Sequence, residues 1–407
     1  MAAGPEVDAR IPVRIDELHA LLLRLAGRLP DGLVARARQW LAEGRSVEVA
    51  QAVVFGATAG RVTVTEADAA LLALVLADAG EDTHTVDEVP RGVPVSRPYF
   101  RLAPFDPAVL AEHGDRVPYP PDLTGRYDGP GGPDPVDLAL TRAVPDGVRG
   151  LWRVWSFPDR PTRWPPPRRM YLVQVFGPAA ADRPGVAAGV QEVLLAAGER
   201  EPRVEVFAEP GELPDHQRTA LDRAALLWAA EPPRPIRFAR DQYTAATATA
   251  AAAAAATAAA TAAATAAATA AATAATAAAS STASSTTTGT GTGLGDERER
   301  LDADERDRVL GYLDAGTPLL LGPIRAEDVL DRIRGAVVPT NVRTDGSWLW
   351  SDALSYGLRE HGLAPEPDLL DHLRRNAHMP PEVGAVELHR ALAALDAFVR
   401  GRSAPGR

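Results

Sequence analysis

The runs LWRVWSF (residues 151–157) and MYLVQVF (residues 170–176) are the strongest strand signals in the chain, because both are rich in aromatic and β-branched residues. They are predicted to pair through the Pro-rich loop 158–169. Further elements are expected after them: a helix over 186–197, a strand over 203–207, a helix over 216–230 and a strand over 236–238. The order β-β-α-β-α predicts a small α+β domain over residues 93–240.

Residues 1–85 carry apolar side chains at helical spacing, as in Leu18, Leu21, Leu22 and Leu25. Four short helices account for the pattern, and Thr65-Glu66-Ala67-Asp68 resembles a capping box that opens the fourth. This segment is predicted to be a helical bundle.

Residues 81–148 are rich in Pro and Gly, and they predict irregular structure with one short strand near 99–102.

Residues 244–293 are almost pure Ala, Thr, Ser and Gly. Alanine favours helix, but no side chain in this tract is large enough to join a hydrophobic core. The tract therefore predicts a flexible linker over 241–295. An O-glycosylated stalk is the alternative for such a composition.

Residues 296–402 predict a second small α+β domain. Helices are expected over 302–313, 325–334, 352–361, from Pro367 and over 381–399, with a strand over 317–321. The runs 337–343 and 347–350 flank Thr344-Asp345-Gly346, and Asp-Gly between alternating apolar runs is a strong signal for a β-hairpin. The predicted fold class is thus α+β: an N-terminal helical bundle with a small α+β domain, a linker, and a second small α+β domain.

Composition limits the classes of function. The formal net charge of −11 argues against general nucleic-acid binding, which needs a basic surface to neutralise phosphates. The absence of cysteine excludes disulfides, thiolate metal sites and cysteine nucleophiles. The sequence shows neither a signal peptide nor a convincing membrane span, so we expect a cytoplasmic protein with no membrane partner. All 43 basic residues are Arg, which suggests a GC-rich actinobacterial genome.

Two segments resemble known sequences. Residues 337–370, with VPTNVRTDGSWLW at 338–350 and LSYGLREHGLAPEPDLL at 354–370, resemble a module that recurs in uncharacterised multi-domain proteins of actinobacteria. Residues 204–228 are similar to another part of the same group. The resemblance implies no established activity and no catalytic residues. It does imply an accessory or immunity-type role in a toxin-associated system.

Arginine and aromatic residues alternate through 149–171 with a single acidic residue, Asp159. Guanidinium groups beside aromatic faces suit a phosphate, a carboxylate or an acidic protein surface. The alternative is a strand pair whose outward residues are simply solvated Arg. The candidate binding residues are Arg153, Trp155, Arg160, Arg163, Trp164, Arg168 and Arg169.

The C-terminal part holds His361, His372, His378 and His389, but no pair has the spacing of a His-Glu-x-x-His zinc motif. No Gly-x-Ser-x-Gly motif surrounds any serine. We therefore expect no metal and no cofactor. The sequence does not identify catalytic residues, which remain unknown. The main hypothesis is a non-enzymatic protein-binding or accessory protein whose partner is an unknown protein. The alternative is a hydrolase or transferase with an unrecognised site in 93–240.

Overall fold

The computed structural model describes residues 10–93, 100–114, 117–125, 127–158, 166–240, 301–321 and 324–403. The chain divides into two compact units. Unit 1 comprises residues 1–113 and 120–232, and unit 2 comprises residues 114–119 and 233–407. The predicted linker 241–295 lies outside the described residues.

Unit 1 begins with helices and continues with a mixed region. The helices are α1 (Arg10–Leu25), α2 (Asp31–Ala42), α3 (Ser46–Gly60), α4 (Glu66–Asp78), α5 (His84–Asp87), α6 (Pro107–His113), α7 (Pro135–Arg142), α8 (Pro178–Ala181), α9 (Arg183–Ala196) and α10 (Asp215–Asp222). The strands are β1 (Phe100–Ala103), β2 (Val148–Pro158), β3 (Arg168–Val175), β4 (Val204–Phe207) and β5 (Ala225–Ala229).

The five strands of unit 1 form one sheet around β2 and β3, which pair in antiparallel register from Val148 to Ser156. The other edge of β2 is shared: β1 pairs with its second half and β5 with its first half, both antiparallel. Strand β4 extends the sheet beyond β3 in parallel. The predicted hairpin is therefore the centre of the sheet.

Helices α1 to α4 enclose an apolar core of their own, and polar contacts join them to the sheet. Arg38 of α2 and Glu205 of β4 form a buried ion pair, with 2.6 Å between Nη2 and Oε2. Nε2 of buried His19 lies 2.9 Å from the carbonyl oxygen of Val206. Gln217 of α10 donates to the carbonyl of Leu23. The N-terminal helices and the sheet consequently belong to one unit.

Unit 2 contains four helices and six strands among its described residues. The helices are α11 (Ala303–Ala315), α12 (Asp352–His361), α13 (Pro367–Arg375) and α14 (Ala385–Ser403). The strands are β6 (Arg237–Phe238), β7 (Thr317–Leu320), β8 (Arg325–Glu327), β9 (Ala336–Pro339), β10 (Val342–Thr344) and β11 (Trp348–Ser351).

The main sheet of unit 2 has the order β6-β11-β10-β7, and β8 and β9 form a separate two-stranded sheet. Strands β10 and β11 are joined by the predicted turn, where the Asp345 carboxylate accepts the backbone N–H groups of Ser347 and Trp348. Trp348 and Trp350 pack in one apolar cluster with α11, α12 and α13, while Leu349 faces a second cluster formed with α14. Because successive side chains of a strand point to opposite faces, β11 contributes to both apolar clusters.

The predicted α+β class is confirmed, with N-terminal helices and sheets in separate regions of the chain. The capping box at Thr65 and Asp68 is present. The Pro-rich stretch 81–148 is more regular than predicted, because it contains α5, α6 and α7. Among the described residues, no helix combines the length and apolar character needed to cross a bilayer.

The predicted helix over 216–230 is wrong in its second half. Helix α10 ends at Asp222, and residues 225–229 form β5, in which Leu226 lies opposite Trp152 of β2. The run ALLWA is apolar at consecutive positions, a pattern that a buried helix and a buried strand share. Residues 225–229 form a strand because they pair with a part of the β2 edge that would otherwise be open.

The predicted helix over 325–334 is also wrong. Residues 325–327 form β8, and only 332–334 make a short 3-10 turn. The carboxylate of Asp328 accepts the backbone N–H groups of Leu330 at 2.9 Å and Asp331 at 3.1 Å. Such local side-chain acceptors compete with helical hydrogen bonding, so the chain turns at Asp328 instead.

His19 makes the stability of unit 1 depend on pH. Burial lowers the pKa of His19 to about 4, from 6.5 in an unfolded chain. The unfolded chain therefore binds a proton below pH 6.5 that the folded unit rejects until about pH 4, so stability falls as pH falls through this window. Between pH 7.5 and pH 5 the free energy of unfolding should drop by about 2 kcal/mol more in the wild type than in His19→Gln. Urea unfolding at both pH values measures this difference, and equal drops would contradict it.

Trp350 should be essential to the core of unit 2. Its side chain is fully buried, and its indole Nε1 donates to the carbonyl of Leu313 at 3.0 Å. Trp350→Ala should lower the free energy of unfolding by about 3–5 kcal/mol, because it leaves a large cavity. Leu321→Ala, at an exposed position, should change it by less than about 0.5 kcal/mol. Denaturant titration of the full chain compares them, and similar values for the two variants would refute the role.

Candidate functional site: a cleft beside the β2–β3 hairpin

A cleft of about 620 Å³ opens in unit 1 between the N-terminal helices and the end of the β2–β3 hairpin. This volume is in the range of ligand pockets. Three parts of the chain line it: the α1–α2 connection with the start of α2, the second half of α3, and the sheet with residues 201–203. The cleft has an ionic side and an apolar side.

The ionic side is organised by Asp31 at the start of α2. Its Oδ1 lies 2.8 Å from Nε of Arg203, and its Oδ2 lies 2.9 Å from Nη1 of Arg168. Arg168 also pairs with Glu201, and Arg28 donates to the carbonyl and hydroxyl oxygens of Thr63. Three guanidinium groups and two carboxylates therefore line this side, which gives it a net positive charge.

The apolar side is formed by Leu29, Leu33, Phe55, Val62 and Phe100. The Phe55 side chain is 72% exposed, which is unusual for a large aromatic group on a helix of a folded core. The next residue, Gly56, has no side chain, and a Cβ there would lie 2.9 Å from Leu33 Cδ1. Glycine thus lets α3 approach α2 closely at the base of the cleft.

The residues predicted from sequence lie in different environments. Arg153 is buried, pairs with Asp137 and donates to the carbonyl of Pro104 at 3.0 Å. Tyr171 donates to the same carboxylate at 2.9 Å, and burial raises the pKa of its phenol. This cluster is an internal polar network rather than an exposed surface.

Trp155 and Arg169 form a second group. The Arg169 guanidinium lies over the Trp155 ring at 4.6 Å and pairs with Asp134 and Glu199. Of the four predicted residues that the structure describes, Arg168 is the one that lines the cleft. Arg160, Arg163 and Trp164 lie outside the described residues, so for them the binding role stays a prediction.

Two similar polar networks occur in unit 2. The sequence points to His361, His372 and Asp345 but does not predict how they pair. In the first, the Oδ2 atom of Asp345 lies 2.7 Å from the hydroxyl of Tyr312 and 2.6 Å from Nε2 of His372. In the second, Oδ2 of Asp328 lies 2.8 Å from both the Tyr356 hydroxyl and Nε2 of His361.

Both aspartates also accept two backbone N–H groups through Oδ1. Each network therefore fixes a turn through one buried carboxylate. The Asp-Gly turn signal identified Asp345, but the histidine and tyrosine partners of the two aspartates are 27 or more residues away in the chain and carry no local signal. Across the described residues, no three His, Asp or Glu side chains are grouped so as to hold a metal ion.

No protein-family model matches this chain, and no curated protein or solved structure matches it.

Asp31 should hold the ionic side of the cleft together. Asp31→Asn keeps the shape of the side chain but removes the charge that both Arg168 and Arg203 face, so the free energy of unfolding should fall by about 1–3 kcal/mol. Asp146→Asn, at an exposed site, is the matched control and should change it by less than about 0.5 kcal/mol. Urea unfolding of both variants tests this, and an Asp31→Asn protein as stable as the control would contradict it.

Proposed function

We propose that this is a non-enzymatic binding protein whose unit 1 cleft takes up an acidic peptide segment of a partner protein. The observation that carries the proposal is the cleft itself, which is lined both by the exposed Phe55 and by Arg28, Arg168 and Arg203. A ligand that spans both sides needs an apolar group next to negative charge.

The charge of the cleft argues for an acidic ligand. Arg28, Arg168 and Arg203 outnumber Asp31 and Glu201 on a chain whose formal net charge is −11, so the cleft contrasts with the average surface. Arginine side chains bind carboxylates through paired N–H groups, and Asp31 keeps two of the guanidinium groups in fixed positions. Fixed donors lower the entropic cost of binding.

The apolar side argues for a peptide rather than a small ion. Leu29, Leu33 and Phe55 offer contact to one aliphatic or aromatic side chain, and burial of such a side chain contributes about 1.5–3 kcal/mol. A bare phosphate or carboxylate would leave this half of the cleft unused.

The ion pairing favours binding over catalysis. Asp31 accepts two guanidinium groups and Glu201 accepts one, so both lining carboxylates are engaged as fixed counter-ions. A general base needs a lone pair directed at the substrate proton. The hydrolase or transferase alternative for residues 93–240 remains a prediction without a supporting contact in the cleft.

The resemblance of segments 204–228 and 337–370 gives the proposal a biological setting. In a toxin-associated system, an accessory or immunity-type protein acts by holding another protein. An acidic segment of that protein would be the ligand of the cleft.

Binding can be tested with defined peptides and two pairs of matched variants. The probes are acetylated and amidated hexapeptides with a central Leu or Phe, flanked either by Glu or by Arg, titrated into the full chain by calorimetry. We expect the Glu-flanked peptides to bind at least about tenfold more tightly than the Arg-flanked ones, and added salt should reduce the difference. Phe55→Ser and Arg168→Ser should each weaken binding about fivefold to tenfold.

Exposed residues of the same type outside the cleft serve as controls. Phe176→Ser and Arg142→Ser replace side chains at exposed positions of unit 1, and both variants should bind like the wild type. Equal affinity of the two peptide classes, or equal loss in cleft and control variants, would overturn the proposal.

A further inference from the structure

The β8–β9 hairpin of unit 2 carries an exposed apolar surface. Ile333 is 98% exposed, and four neighbours are between one third and about one half exposed. Single apolar residues are normal on protein surfaces, but several exposed ones on one hairpin are typical of an interaction site. We call this group the apolar hairpin; its members are Ile324, Val329, Leu330, Ile333 and Val337.

The hairpin is held in one conformation despite its exposure. Asp328, directly after β8, is fully buried and accepts Tyr356 and His361 of α12 through Oδ2. Through Oδ1 it accepts Leu330 and Asp331 from the following turn. A surface that is already ordered binds a partner without the cost of ordering it.

Strand β8 has one edge without a strand neighbour in the described part of the chain. It pairs only with β9. This pairing contains one register shift, and the extra residue there lies on β9, so the main-chain groups of β8 still alternate regularly between its two edges. The Ile324 carbonyl accepts from Thr340, and the Asp328 N–H donates to Gly335, so these residues turn their main chain toward β9. By alternation, the main-chain groups of Arg325 and Glu327 point to the open edge.

We propose that this edge pairs with β8 of a second copy of the same chain, in antiparallel register about Ala326. The register sets Arg325 opposite Glu327 of the other copy, and Glu327 opposite its Arg325. All four residues have outward main-chain groups, so each opposing pair exchanges two N–H···O hydrogen bonds, as in a regular antiparallel ladder. The result is a four-stranded sheet with two-fold symmetry.

The side chains fit this register. Arg325 and Glu327 are both exposed, while Ala326 between them faces the core beside Val338. Opposite charges directly across an antiparallel pair are stabilising, and like charges are destabilising. The tripeptide Arg-Ala-Glu therefore complements itself only when two copies run antiparallel about its centre.

The apolar hairpin completes the interface. The register sets Ile324 opposite Asp328 of the other copy, next to its Val329 and Leu330. Apolar groups thus lie at both ends of the paired strands and lose solvent contact when two copies meet. A second copy of the chain is the favoured partner because β8 itself carries both the positive and the negative charge of each cross-strand pair. This interface uses unit 2 alone and does not depend on the peptide cleft.

A charge exchange tests the proposal on the full chain. Sedimentation velocity from about 1 to about 100 µM should show the wild type in a monomer–dimer equilibrium. Arg325→Glu sets two acidic pairs across the two-fold axis and Glu327→Arg sets two basic pairs, so each variant should dimerise at least about tenfold more weakly. An equimolar mixture of the two variants should recover the dimer, because every cross-strand pair is then again of opposite charge.

Arg306→Glu on α11 makes the same change of charge at an exposed site and should leave the equilibrium unchanged. Far-ultraviolet circular dichroism of each variant verifies that it is folded. A wild type that remains monomeric overturns the proposal and leaves the apolar hairpin to a different protein. A dimer that persists in both single variants, or a mixture that stays monomeric, overturns it as well.

Discussion

Pairing along β2 is the constraint on which the structure of unit 1 depends. The strand is 11 residues long, and β1, β3 and β5 all hydrogen-bond to it. Since β1 and β5 share one edge, neither can lengthen without displacing the other. This division leaves the hairpin end of β2, near Ser156, beside the N-terminal helices, where the cleft forms.

Buried ion pairs define how the helices meet that sheet. Arg38 with Glu205 and Arg153 with Asp137 are pairs in which both side chains are almost fully buried. Replacement of a buried pair by apolar groups is often neutral, but removal of one partner costs about 3–5 kcal/mol because a charge is left uncompensated. Such pairs add little net stability and instead penalise wrong packing of α2 on β4 and of α7 on β2.

Local signals in the sequence predicted much of the fold. Strands β2 and β3, the capping box at Thr65 and the Asp-Gly turn at 345–346 each depend on residues close together in the chain. Strands β5 and β8 were missed because their state is set by partners outside each run. For β5 the partner is a free edge of β2, and for β8 the partners are β9 together with Tyr356 and His361, which bind Asp328 at its end.

The cleft was beyond prediction for a similar reason. Its ionic side joins Asp31 to Arg168 and Arg203, which are more than 130 residues away in sequence. Arginine enrichment near 149–171 identified Arg168 as a candidate, but the same enrichment included Arg153, whose partner Asp137 makes it internal. The composition shows which side chains are charged, but burial and ion pairing determine which of these side chains a ligand can contact.

The shared edge of β2 also orders the folding of unit 1 in time. Strands β2 and β3 are separated by nine residues, so the loop between them closes at low entropic cost. Strands β1 and β2 are separated by 44 residues, and β2 and β5 by 66. Contacts of such long range form slowly, so the hairpin is expected to nucleate the sheet while both outer strands dock late. During synthesis, the first half of this edge of β2 would stay open until β5 has left the ribosome, and an unpaired strand edge of this kind favours misassembly.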